Sequence, residues 1–283
     1  MLGAIFSIFA FEKENIGFIM NLMSGFASAL AISFMYWSII LILKKITDTS
    51  EASINKQILI SGSALVGSLA FAFTDTFWFS AVETEVYAMA TLIMAVIFYL
   101  GLRWEADMHN SRGNKWLLLI CFVIGLSFGV HFMGLLVIPA IVMIYYFKNQ
   151  KTILNSTKVN PIIGFFIANI IGLGILMGVF KLLLPNTLKF FSAIELLFVN
   201  NLGLPFNSGT LVAFVVIVYA FYFLINYTRK KGMVRANTIT LCFLFIFIGF
   251  SSWLILPIRA NADVVVNEND PSNARELLAY YNL

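Results

Sequence analysis

Residues 116–147 read WLLLICFVIGLSFGVHFMGLLVIPAIVMIYYF, an apolar run of 32 residues held between Lys115 and Lys148. As one straight helix it would be about 48 Å long, against a hydrocarbon core of about 30 Å. Charge decides how the run folds. The linkers 44–57, 103–115, 148–160 and 227–235 contain Lys44, Lys45, Lys56, Arg103, Arg112, Lys115, Lys148, Lys151, Lys158, Arg229, Lys230, Lys231 and Arg235, which is 13 of the 18 Lys and Arg residues. The other connections contain Glu12, Glu14, Asp75, Glu83, Glu85, Glu195, Asp263, Glu268, Asp270 and Glu276, which is 10 of the 14 Asp and Glu residues. The positive-inside rule makes the first set cytoplasmic. Both flanks of 116–147 then lie on one side, and an even number of crossings must separate them. The spacing predicts a hairpin of two short helices, 116–130 and 132–147, hinged at Gly129-Val130-His131. Each arm has about 15 residues, or about 22 Å, so the hinge is expected below the outer surface, inside the protein. Non-helical backbone at that depth is tolerated only where it is buried or lines a wet cavity. Gly125, Gly129, Gly134 and Pro139 suit close packing and a break.

The remaining sequence fits the same frame. Of 283 residues, 60% are hydrophobic and 11% charged, with a mean hydropathy of +0.91. A soluble domain is about half apolar and about a quarter charged. A soluble enzyme, a disordered tail and a nucleic-acid-binding module are excluded. The expected fold is all-α, a polytopic integral membrane protein of about eight helical segments: 16–43, 58–74, 86–102, 116–130, 132–147, 161–184, 210–226 and 236–256. Residues 1–283 form one transmembrane domain with both termini on the outer side, and 257–283 begin an outer soluble tail. The stretch 186–203, NTLKFFSAIELLFVNNLG, is expected as an amphipathic helix on the outer interface, with Phe190, Phe191, Ile194, Leu197 and Phe198 at helical spacing. Pro271 is placed to open a short soluble helix over 272–281. Cys121 and Cys242 lie in apolar runs and read as small hydrophobes, with no disulfide or zinc spacing.

Ionisable residues are nearly absent from the spans, which argues against an ion-coupled transporter. Lys181 stands at the end of its helix, where it can snorkel. Chemistry therefore belongs at the outer face. The densest feature there is FAFTDTFWFSAVETEVYAMA, residues 71–90, which puts Asp75, Glu83, Glu85 and Tyr87 within 13 positions. Glu83 and Tyr87 share a helix face if the helix starts that early. Converging carboxylates act as a general base, hold a cation or bind sugar hydroxyls; the plainer reading is acids favouring a helix dipole. His131 at the hairpin tip is either a phosphate or head-group donor or a satisfied helix cap. Arg259, after the last span, either clamps a lipid-linked phosphate or snorkels to phospholipid. His109 sits in a cytoplasmic linker. No phosphate loop, HExxH, GxSxG or triad spacing occurs.

Four segments in order carry a resemblance: FTDTFWFSAVETEVYAM, GLSFGVHFMGLLVIPA, FVNNLGLPFNSG and IRANADVVVNENDPSNARELLAYYNL. Together they resemble an uncharacterised-domain family of bacterial multi-spanning membrane proteins. That family is related to the transmembrane-protein type of protein O-mannosyltransferase, in the GT-C superfamily of integral-membrane glycosyltransferases. The resemblance runs along essentially the whole chain. It implies a GT-C-like fold, a polyprenyl-phosphate donor carrying mannose and transfer to a Ser or Thr hydroxyl of a protein on the outer side. By analogy with that family Glu83, Glu85 and Tyr87 belong to the outer cavity, His131 faces it and Arg259 is the candidate for the donor phosphate; from this we expect Asp75, Glu83 and Glu85 in catalysis and Tyr87, His131 and Arg259 in substrate binding. Relatives also carry an earlier helix and a first outer loop with the principal acidic base, followed by a His-Pro-Pro-Gly-like stretch. Met1 falls just after that stretch, and the chain stops at Leu283 where relatives continue. The chain is thus expected to be a fragment lacking that base.

The expected function is an integral-membrane glycosyltransferase in a bacterial cytoplasmic membrane, with its site on the outer side. The expected partners are a polyprenyl-phosphate-linked sugar, a protein acceptor and the lipid bilayer, with no nucleic acid. No cofactor is expected; a divalent cation would suit Asp75, Glu83 and Glu85, although so few carboxylates make a weak case. The alternatives are a transporter or flippase of lipid-linked sugars, and a non-catalytic membrane scaffold.

Overall fold

The computed structural model describes residues 2–47, 53–149, 160–262, 264 and 267–282. Lys151, Lys158 and Asp263 of the charge map lie outside the described residues. Among those described there is no strand, and the chain is an all-α multi-pass membrane protein. Hydrocarbon offers no water to backbone N–H and C=O groups, so each crossing closes its hydrogen bonds within a helix.

A short helix, α1 (Leu2–Ser7), precedes α2 (Ile16–Ile46), and α3 (Ile54–Ala72) turns by 70° into α4 (Asp75–Val82). Then come α5 (Val86–Asp107) and α6 (Asn114–Ser127). The chain restarts as a 3₁₀ helix, Phe132–Val137, which continues as α7 (Ile138–Lys148). The next helix, α8 (Pro161–Met177), passes through a π-helical stretch, Gly178–Leu183, into α9 (Leu184–Leu196) and a second π-helical stretch, Leu197–Asn201. The chain continues with α10 (Ser208–Lys230) and α11 (Val234–Phe250), then a 3₁₀ turn over Ser251–Leu254 and α12 (Ile255–Ala260). The last element is α13 (Ala274–Tyr281). Among the described residues six helices are long and apolar enough to cross, the bent α3–α4 pair makes a seventh if it is one span, and the 14-residue α6 is the short eighth.

Side-chain contacts fix the directions. α2 and α5 run parallel, with Asn21 against Thr84, Phe34 against Tyr99, and Lys45 against Glu105. α6 returns antiparallel to α5, since the Trp116 indole N–H donates to Asp107. The second arm runs parallel to α5, with Gly134 against Ile93 and Gly101 against Ile141. The two arms are therefore antiparallel, which is the hairpin that the charges demanded. α8 runs back along α7, pairing Gly164 with Tyr146 and Gly172 with Pro139. α11 lies parallel to α6, from Asn114 beside Thr238 to Gly125 against Ile246. These directions gather the basic linkers at one end of the molecule and the acidic connections at the other.

With lipid outside, burial of small residues takes over from the hydrophobic effect in joining helices. α2 buries Ser24, Ala27, Ser28 and Ala31, and α5 buries Ala88 and Ala90. At the α6–α11 crossing a Cβ on Gly125 would overlap the Ile246 carbonyl, and one on Gly249 the Phe122 carbonyl. The central core then closes around the hairpin through Ile97, Ile120, Ile124, Leu135, Ile246 and Phe250. Large apolar side chains along α10, such as Leu211, Tyr219 and Tyr222, stay exposed and face lipid.

Four details differ from the sequence expectation. The hinge takes Phe128–His131, one residue earlier than expected, and α6 spans only about 21 Å. Winding the start of the second arm as 3₁₀, at about 2.0 Å per residue, lengthens it to about 28 Å, so the arms are unequal. Residues 186–203 are not a separate helix, because Pro161 to Asn201 form one unbroken run of 41 residues. Pro185 lies in the first turn of α9, and the π-helical turns before it relax the hydrogen-bond ladder that a proline would otherwise break. The tail helix starts at Ala274 and is capped by Asn273, whose carboxamide oxygen accepts from the N–H groups of Arg275 and Glu276.

Candidate functional site

The acidic end is built around two breaks in the helical backbone. At the first, α3 ends at Ala72 and α4 leaves at 70°. Asp75 opens α4, and Glu83 follows its last residue, so their backbone positions are about 12 Å apart along the helix axis. Phe77 is the buried residue of α4, whereas Trp78 and Phe79 face outward as an aromatic belt does. Glu83, Thr84 and Glu85 form an extended connection in which the Glu85 N–H donates to the Glu83 carbonyl at 2.9 Å. The Thr84 hydroxyl donates to the Asn21 side chain and ties this connection to α2. Glu83 and Glu85 are both exposed, and neither forms an ion pair among the described residues. α5 begins only at Val86, so Glu83 and Tyr87 do not share a helix face.

The second break is the hairpin hinge. The N–H groups of Val130 and His131 both donate to the Ser127 carbonyl, at 3.0 and 2.8 Å, and fold the chain back. The Trp253 indole N–H donates to the Phe128 carbonyl at 2.6 Å and satisfies a group that the turn leaves open. Gly129 packs closely here, since a Cβ would meet the Ser252 hydroxyl at 2.8 Å and make it shift.

His131 caps the 3₁₀ helix. Its Nδ1 accepts from the Met133 N–H at 3.2 Å, so the neutral ring carries its proton on Nε2. Nε2 has no partner among the described residues and is the ring's free donor. The two readings of His131 are thus compatible, one for each nitrogen. The Tyr87 ring lies 5.7 Å from the imidazole, between centroids, and joins the start of α5 to the hinge.

An aromatic cluster surrounds this pair. Phe132 packs edge-on against Phe180 at 4.9 Å and against Phe128 at 5.5 Å. Trp253 packs against Phe250, Tyr280 and Tyr281. The Tyr281 hydroxyl donates to the Phe180 carbonyl at 2.6 Å, tying α13 to the π-helical stretch. Burial pushes the Tyr281 phenol above its ordinary pKa. Nearby in α13, hydrogen bonds led by the Ser272 hydroxyl hold the Glu276 carboxyl below its ordinary pKa.

Arg259 lies on α12, exposed, and reaches the hinge only through the 3₁₀ turn that carries Trp253. The structure therefore brings Tyr87 and His131 together, sets Glu83 and Glu85 on the connection leading into α5, and leaves Asp75 and Arg259 farther along their own elements. No three His, Cys, Asp or Glu side chains among the described residues come close enough to hold a metal ion. A shallow groove lined by Trp37, Ile40, Leu41 and Tyr99 opens between α2 and α5 in the basic half, away from the hinge.

Sequence reasoning did not single out three parts of this end. Phe180 and Tyr281 complete the aromatic cluster across 101 positions, a spacing that no local pattern reveals. Glu195, counted with the outer acids, is buried. It accepts from the N–H groups of Asn207 and Thr210 and from the Thr210 hydroxyl at 2.6, 2.7 and 2.9 Å, and so caps α10 from a neighbouring helix. The turn-rich NNLGLPFNSG that follows Glu195 was the available signal for a helix start needing a cap.

Residues 1–154 match the family model described as Protein O-mannosyl-transferase TMEM260 N-terminal domain. No curated protein and no solved structure matches the chain. The matched residues are more than half of the chain and include the bent α3–α4 pair, the Glu83–Tyr87 connection, the hinge and both arms of the hairpin. By that match the chain belongs to the family of the protein O-mannosyl-transferase TMEM260 N-terminal domain.

Proposed function

We propose that this chain is the membrane core of a protein O-mannosyltransferase-like glycosyltransferase. It takes a sugar from a polyprenyl phosphate and places it on a protein Ser or Thr hydroxyl at the acidic end, which faces away from the cytoplasm. The observation that carries this reading is the family match over residues 1–154. The geometry supports it by setting exposed carboxylates beside a hinge that holds an imidazole with a free N–H. In a bacterial cell the basic linkers put the molecule in the cytoplasmic membrane with this end outward.

The chemistry is one displacement. A carboxylate, Glu83 or Glu85, accepts the proton of the acceptor hydroxyl. The hydroxyl oxygen forms a bond to the anomeric carbon. The bond from that carbon to the phosphate oxygen breaks, and its electron pair leaves with the lipid phosphate. Rate comes from positioning and from donors aimed at the departing charge, the role assigned to His131 Nε2–H with Tyr87 beside it. Asp75 and Arg259 are the outer groups that meet acceptor and donor at the rim.

The test uses membranes carrying the full-length protein, a mannosyl polyprenyl phosphate and a Ser/Thr-rich acceptor protein. Transfer is expected in the unaltered full-length protein. Glu83→Gln or Glu85→Gln should reduce it about a hundredfold, within the usual range for a general base. Intact protein that labels no acceptor overturns the reading, and donor crossing the bilayer without transfer replaces it with a flippase.

A further inference from the structure

Lys181 sits in the π-helical stretch toward the acidic end of the run that α8 begins. α8 starts at the basic end with Pro161, and Lys181 is 20 residues on, about 30 Å, which is the thickness of the hydrocarbon core. Its neighbour Phe180 meets Phe132, the first residue after the hinge, at 4.9 Å, so Lys181 reaches the acidic boundary level with His131. A lysine at that boundary ordinarily extends into water. Here its ammonium is drawn over the Phe180 ring, 4.8 Å from the centroid. Stacking on one face leaves ammonium protons free for an anion. No carboxylate among the described residues pairs with it.

The backbone holds this arrangement in place. Gly178–Leu183 is π-helical, a form that is rare and concentrated at functional sites. The wider turn is pinned by the Tyr281 hydroxyl on the Phe180 carbonyl. One continuous path of contacts then runs from Tyr87 through His131, Phe132 and Phe180 to Lys181. Among the described residues Arg259 makes no ion pair or cation–π contact with that path.

We infer that Lys181 is the cation that holds the phosphate of a polyprenyl-phosphate lipid beside the hinge. This rests on the glycosyltransferase reading above and deepens it. The ammonium pairs with a phosphate oxygen, and the isoprenoid tail runs down the lipid-facing side of α8.

The full chain in phosphatidylcholine nanodiscs tests this, with radiolabelled polyprenyl phosphate, the matching polyprenol and phosphatidic acid as separate probes. The unaltered chain should retain polyprenyl phosphate in preference to the other two. Lys181→Met and Lys181→Gln should each lower that retention about tenfold, and Lys181→Arg should keep most of it. Lys189→Met, two turns further along and also exposed, should change nothing. Retention by Lys181→Met and Lys181→Gln equal to the unaltered chain overturns the assignment and leaves the donor reading standing. Equal retention of polyprenyl phosphate and polyprenol by the unaltered chain overturns the donor reading as well. Parallel loss of phosphatidic acid in the variants reduces Lys181 to a general head-group anchor and also overturns the proposal.

Discussion

The two ends of the molecule are built differently. At the basic end, helices stop cleanly and are joined by charge: Glu105 of α5 lies between Lys45 of α2 and Lys148 of α7, and the Trp116 ring carries Arg103 and Lys115 over it. No 3₁₀ or π-helical stretch occurs there among the described residues. At the acidic end every long departure from the α-helix is found: the 70° bend, the hinge with its 3₁₀ restart, both π-helical stretches and the turn at Ser251–Leu254. A crossing helix gains nothing from such departures, since each disturbs a ladder that lipid cannot replace. Their collection at one end sets an irregular backbone where the proposed site lies, while the regular, charged end serves orientation.

The sharpest way to break this contrast is at the crossing that supports the hinge. Gly125→Val or Gly249→Val drives a side chain into a facing carbonyl. Each should cost about 3 kcal/mol or more, read as a fall in the detergent unfolding midpoint. Gly174→Ala, which meets nothing within 4 Å, should cost nothing measurable. A tolerated Gly125→Val would mean that the α6–α11 contact is looser than described.

Carboxylates at the two ends should also respond unequally. Glu195→Ala leaves two N–H groups at the start of α10 without a partner and should cost about 2 kcal/mol. Glu105→Gln removes a partly exposed ion pair and should cost less than about 1 kcal/mol, fading further in salt. Equal losses in a thermal melt would erase the distinction between a buried cap and a surface tie.

The smallest effect concerns α13. Hydrogen bonds from the Ser272 hydroxyl, and then from Asn273, hold the Glu276 carboxyl below its usual pKa, so the charged form is favoured and the start of α13 loosens as pH falls through the carboxylate range. Tyr281 is shifted upward by burial, so the neutral phenol is favoured, and docking weakens as pH rises through the phenol range. Trp253 fluorescence, sensitive to Tyr280 and Tyr281 against its ring, should therefore be flat near neutrality and change at both extremes. A change centred near pH 7 would point to a different group.

Most of the fold was legible in the sequence because hydropathy and charge are read residue by residue. The eight segments, the hairpin and the tail helix follow from run length and from the Lys and Arg pattern. The hinge was off by one residue because its turn is closed by Trp253, which lies 125 positions from Phe128. The continuity of 161–201 was not legible because Pro185 looks like a break until the π-helical turns before it are seen. At the site, Tyr87 and His131 were chosen from composition and do meet. Phe180 was passed over and Lys181 was read only as a snorkelling lysine, because nothing in their own neighbourhood distinguishes them from an ordinary helix end.

The bond from Tyr281 to the Phe180 carbonyl also sets an order of events during synthesis. Chains emerge from the ribosome N-terminus first, at about 5–20 residues per second. When Phe180 is added to the chain, the tyrosine that fastens it is still about a hundred codons away. For those seconds the aromatic cluster stands unlatched, and its closure is timed by the arrival of α13.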